Sequence, residues 1–164
     1  MIKLFLYLMG IFLLSGCTST YVAPVNGSVA YIKTSSTGTD YKGSTGLAGY
    51  SVMVGKFDEN ECIDGADEVK EESLDVDGYF AVSADKPIVL SVQRFTGNNM
   101  CLITNIMTTL ESNSKYFMNY SLRGKGCYLT FYKINSHDSE AFEKADYKII
   151  KDSYGICRNI DNQI

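Results

Sequence analysis

The feature that most constrains this chain is the period of its hydrophobic pattern. After the first sixteen residues, apolar side chains recur at every second position, and almost nowhere at the 3.6-residue spacing of an amphipathic helix. A period of two belongs to strands with one buried face. Segments 28–33, 47–57, 88–95, 100–110, 115–121, 127–134 and 147–150 carry it, with a last extended piece at 155–160. Gly, Asn, Ser and Thr clusters separate them. Asp77-Gly78, between the short runs 73–76 and 79–82, has the composition of a type I′ hairpin turn. Segments 100–110, 115–121 and 127–134 read as a meander, and Tyr116, Met118 and Tyr120 share one face of its middle strand. Segment 139–145 is a candidate for one or two helical turns, with Asp138 or Ser139 as N-cap. The expected fold is therefore all-β: an antiparallel β-sandwich, or a partly open barrel, of about 7–9 short strands with at most one short helix near 139–145. A hydrophobic content of 45% excludes global disorder.

The beginning of the chain follows a different rule. Lys3 precedes an apolar run, 4–14, which is too short to cross a bilayer as a helix and has the layout of a secretory signal. It ends in Leu14-Ser15-Gly16-Cys17. This resembles the lipobox of bacterial lipoproteins, in which a small pair precedes the lipid-bearing cysteine. The resemblance implies a removed signal peptide, 1–16, and a diacylglyceryl group on Cys17. It also implies an acylated amino terminus and a membrane attachment through that lipid. Two or three acyl chains hold stably where one does not. Thr18 stands where an Asp would resemble an inner-membrane retention signal, so the implied location is the outer membrane, facing the periplasm. A Gram-positive cell surface is the alternative. Residues 17–27, with Pro24 and Asn26-Gly27, read as a tether, and 28–164 as a single β-rich domain.

With Cys17 assigned to lipid, Cys62, Cys101, Cys127 and Cys157 remain, an even set in an exported domain and hence candidates for two disulfides. The sequential pairing, the nested pairing and the crossed one all stay open. Placing Cys101 and Cys127 in one meander favours the nested form, Cys101–Cys127 with Cys62–Cys157. No C-x-x-C occurs and the single His, His137, lies in a polar stretch, so no metal site is expected.

A second, looser resemblance covers 28–134. A strand ending near Cys62 is followed by Pro87-Ile88-Val89-Leu90-Ser91-Val92, then Cys101, Ser114-Lys115-Tyr116-Phe117 and Cys127-Tyr128-Leu129-Thr130-Phe131. This is similar to small bacterial lipoproteins with β-sandwich domains of largely uncharacterised type. It implies fold and location only, and the tail carrying Cys157 departs from it.

Charge and motifs narrow the function by exclusion. A net charge of −4 without a basic block argues against nucleic acid as a partner. The absence of Trp excludes a Trp-based recognition site. Asp58, Glu59, Glu61, Asp64, Asp67 and Glu68 resemble a hard-cation cluster in composition, but the alternate spacing of a calcium loop fails and a solvated acidic loop over 58–72 is expected. Asp75 and Asp77 are accounted for by the turn. No Gly-x-Ser-x-Gly occurs, and Ser112-Asn113-Ser114-Lys115 matches Ser-x-x-Lys without the helix such enzymes need. No catalytic residue and no cofactor is assigned. Twelve Tyr are present, most of them suited to strands, while Tyr21, Tyr41 and Tyr154 fall in expected loops and are the candidates for a contact surface. The expected function is a lipid-anchored, non-enzymatic scaffold or binding module for another envelope protein. The alternative is an inhibitor or immunity-type protein that neutralises a periplasmic hydrolase through loops 34–46 and 58–72.

Overall fold

The computed structural model describes residues 19–37, 48–57, 60, 62–96, 99–123, 126–135 and 142–150. Among them are ten strands: β1 (Val29–Thr37), β2 (Ala48–Phe57), β3 (Ile63–Glu68), β4 (Tyr79–Ser83), β5 (Pro87–Thr96), β6 (Asn99–Thr109), β7 (Lys115–Arg123), β8 (Gly126–Ile134), β9 (Phe142–Lys144) and β10 (Lys148–Ile150). They form two five-stranded sheets, β4-β1-β7-β8-β9 and β10-β6-β5-β2-β3. Every strand pairing is antiparallel except that of β1 with β7. The protein is an all-β sandwich. We call the two layers the β7 sheet and the β5 sheet after their central strands.

Alternation builds the core. The β7 sheet turns Ala30, Ile32, Phe80, Val82, Tyr116, Met118, Tyr120 and Phe131 inward, and the β5 sheet answers with Val52, Val54, Ile88, Leu90, Val92 and Ile106. Tyr116 and Phe131 pack with ring centroids 5.5 Å apart, and the Tyr116 hydroxyl accepts the Glu111 N–H at 3.0 Å, so the buried phenol keeps a partner.

Several expectations are corrected. The segment 142–144 is strand, not helix, and residues 139–141 lie outside the described residues. An isolated helical turn gains little by itself. Pairing with β8 instead satisfies the backbone of that edge and brings the Phe142 ring 5.9 Å from Tyr132. Asp77-Gly78 does not join a hairpin: a 3-10 turn, Glu71–Ser73, precedes it and β4 pairs with β1. The Asp75 carboxylate accepts the N–H groups of Asp77 and Tyr79 at 2.9 and 2.8 Å, and the left-handed position falls on Gly78. The meander also breaks, because β6 and β7 belong to different sheets. Between them Leu110 is buried, its carbonyl takes the Asp85 N–H, and Asn113 adopts φ 57°. The acidic stretch is not a loop throughout, since β3 occupies Ile63–Glu68.

The expected tether is docked over residues 19–21. Thr20 bridges Glu68 in parallel, Tyr21 N–H donates to the Glu68 carbonyl at 2.8 Å, and Glu68 N–H donates to the Ser19 carbonyl at 2.9 Å. The Tyr21 ring then enters the seam between the sheets, edge-on to Phe80, and its hydroxyl donates to the Ala81 carbonyl on β4 at 2.9 Å.

Candidate functional site: the outer face of the β7 sheet

Inward Ala30, Ile32, Phe80, Val82, Tyr116, Met118 and Phe131 fix which residues of the β7 sheet point out. Strand register then assembles them in rows. Tyr79 lies beside Lys33, and Lys33 beside Phe117, which lies beside Tyr132. Tyr31 lies beside Lys115, Ser121 beside Tyr128, and Tyr132 beside Lys144 on β9. The result is a surface carrying Tyr31, Tyr79, Phe117, Tyr128, Tyr132 and Phe142, interleaved with three lysines. Tyr128 and Phe142 are 52% and 55% exposed.

Its electrostatics are one-sided. No carboxylate occurs among the described residues that point out from this sheet, although the chain as a whole carries −4. The Lys33 and Lys115 ammonium groups lie 5.6 and 4.9 Å from the centroid of the same Tyr79 ring. Lys133 differs: it sits at the rim, bonded to Glu111 at 2.5 Å, and that hydrogen bond raises its pKa above the ordinary lysine value. A groove of about 340 Å³, lined by Asn113, Ser114, Lys115, Lys133, Ile134 and Asn135, continues the face at the β7–β8 end. Ammonium groups and aromatic rings without a carboxylate attract and stack, and the described face carries no acid–base pair for proton transfer.

The opposite outer surface, on the β5 sheet, is closed. Val89, Ser91 and Asn105 are 1%, 5% and 4% exposed, and Ile63, Val89 and Ile150 form a second apolar cluster there with Phe57 and Met107.

The sequence-derived residues are dispersed. Cys17 and Cys157 lie outside the described residues, as do Tyr41 and Tyr154. Cys62 and Cys127 are each disulfide-bonded. Cys101 is on β6, in the β5 sheet, and Cys127 on β8, in the β7 sheet, so the shared sheet that favoured the nested pairing does not exist. Tyr21 is no free contact residue but a bridge across the seam. No group of three or more potential metal ligands occurs among the described residues. The aromatic face itself was missed because strand tyrosines read as core filling. The readable signal was the alternation of Tyr or Phe with Lys in Tyr31-Ile32-Lys33 and Lys115-Tyr116-Phe117, which puts charge and ring on the same, outward side.

No family model, no curated protein and no solved structure matches this chain.

Proposed function

We propose that the chain is a lipid-anchored lipoprotein of the outer membrane, facing the periplasm, and that its body is a non-enzymatic module that binds another envelope protein on the outer face of the β7 sheet. The open aromatic face supports this reading most directly. Tyr and Phe offer large contact area at small entropy loss, and such side chains are enriched at recognition surfaces. Five strands about 4.8 Å apart make a platform about 20 Å wide, on the scale of one side of a standard protein interface. The three lysines, with no carboxylate among the described outward residues, favour a partner patch rich in Asp and Glu. The lipobox at Leu14-Ser15-Gly16-Cys17 supports the location.

Proximity labelling in intact cells tests both halves, using the natural chain, Cys17→Ser, and the double variant Tyr132→Ala, Phe142→Ala. The expected result is one envelope protein enriched by the natural chain and lost with either variant, while the double variant still folds. Enrichment that survives the face variant would remove the face as the binding surface. The absence of any enriched envelope protein would remove the scaffold reading.

A further inference from the structure

The docked segment 19–21 carries a consequence for how the body sits at the membrane. Beyond its two backbone hydrogen bonds to β3, it is held by side chains. Ser19 Oγ donates to Asp67, Lys56 Nζ lies 2.7 Å from the same carboxylate and 3.2 Å from Ser19 Oγ, and Ser73 Oγ donates to the Tyr21 carbonyl at 2.9 Å. Burial pushes the Asp67 carboxyl up, but the hydrogen bonds from Lys56 and Ser19 outweigh it and hold the group below its ordinary value, so it stays charged. Tyr21 completes the clasp by joining β3 to β4 across the seam. These contacts place residues 19–21 firmly on the body.

Cys17 is two residues before Ser19. Two extended residues reach at most about 7 Å. A lipid on Cys17 would therefore leave the β3/β4 seam almost no freedom to leave the bilayer surface. The side chains around the clasp agree. Val22 and Val25, on the chain just after it, are 77% and 90% exposed. The Ser73–Tyr21 hydrogen bond joins the residues just before Val22 and Leu74, and Leu74 is exposed as well. Val22 and Leu74, next in sequence to the two residues that this hydrogen bond joins, are thus exposed apolar side chains at the clasp, where an interfacial lipid layer can cover them. Glu71, Glu72, Asp75 and Asp77 are exposed on the same end, so this contact has no electrostatic pull toward anionic lipid and depends on the covalent anchor.

We propose that the seam end of the sandwich, marked by Val22 and Leu74, is a membrane-contacting surface, held on the bilayer by the short link from Cys17. This rests on the lipoprotein reading above. The occupant is a phospholipid headgroup layer, and the aromatic face of the β7 sheet stays clear of it.

The test uses the processed, acylated chain in phosphatidylcholine nanodiscs containing a headgroup spin-labelled lipid, with amide signals recorded by NMR. Signals of Val22 and Leu74 are expected to lose at least about threefold more intensity than those of Tyr128 and Phe142. Inserting a flexible Gly-Ser segment between Thr18 and Ser19 should at least halve that contrast. Uniform broadening over the body, or broadening centred on Tyr128 and Phe142, would overturn the orientation. Contrast that the inserted segment leaves unchanged would overturn the role of the short link. Mass spectrometry of the same sample separates the two claims: a chain without acyl groups sinks both, whereas an acylated chain in discs without local broadening sinks the orientation alone. Vesicles of phosphatidylglycerol that captured the soluble Cys17→Ser chain would also contradict it, since an acidic end should not bind them unaided.

Discussion

The two outer faces of this sandwich are built from strands of similar length and the same alternation, yet one is closed and the other open. On the β5 sheet the outward row carries Gly55, Val89, Ser91 and Asn105, small or medium groups at the centre of the layer. Gly55 is part of the reason that row can lie tight, since a Cβ there would come 3.1 Å from the Val89 Cβ. On the β7 sheet the outward row carries rings and ammonium groups that stay accessible. Rings thus serve two roles in this fold: Phe80, Tyr116, Tyr120 and Phe131 fill the core, while those of the outward row mark the open side. What decides is the company each keeps: a ring that alternates with buried Ile, Met or Tyr and sits beside lysine faces water.

A single kind of substitution on each face gives the largest contrast. Val89→Asp places an unpaired charge on the closed face and is expected to cost about 4 kcal/mol or more. Tyr128→Asp on the open face is expected to stay within about 0.5 kcal/mol. Urea unfolding with the disulfides intact, compared at equal slope, reads both. Equal losses would mean that the two faces are not differently covered. A smaller effect probes the polar part of the closed face. Ser91 Oγ donates to Asn105 Oδ1 at 2.5 Å with both residues buried. Ser91→Ala leaves that oxygen without its donor and is expected to cost about 1–3 kcal/mol. A neutral result would show water reaching the pair and the face to be more open than its exposure suggests.

How much of this could be read beforehand follows from which interactions are local. The sandwich was legible because alternation is a local property and each of Ile32, Val82, Leu90, Val92 and Met118 states its own side. The order of strands was not. Asp77-Gly78 has the composition of a hairpin turn, but Asp75 caps the turn with its own carboxylate and β4 finds β1 far away in sequence. The crossing at 110–114, which separates β6 from β7, depends on Asp85 reaching Leu110 and Ser112, a contact between distant segments. Phe142 became a strand because β8 had a free edge, and a free edge is a property of the sheet, not of the residues 139–145. The aromatic face was half legible: its alternation with Lys33 and Lys115 was present, but without strand order nothing assembled Tyr31, Tyr79, Tyr132 and Phe142 into one surface.

At the seam one residue bonds to an edge strand of each sheet, and it offers the finest test of how they are held together. Tyr21 is pushed up from 10.0 to about 12, first by burial and then by the negative Asp67. In the unfolded chain the phenol ionises near its ordinary value. Between these two values the folded protein keeps a proton that the unfolded chain has lost. The sign follows: the contribution is complete below the ordinary value and is lost as pH rises through the folded one. Tyr21→Phe removes the hydroxyl and its bond to Ala81, and is expected to cost about 1 kcal/mol at neutral pH. The natural chain should then lose more stability than the variant between about pH 10 and about pH 12, so the gap between them narrows as pH rises. Lysines also titrate in that range, but they do so in both proteins and cancel in the difference. A gap that stays constant would mean that the phenol ionises alike in both states, and that Tyr21 is not held in the seam in solution.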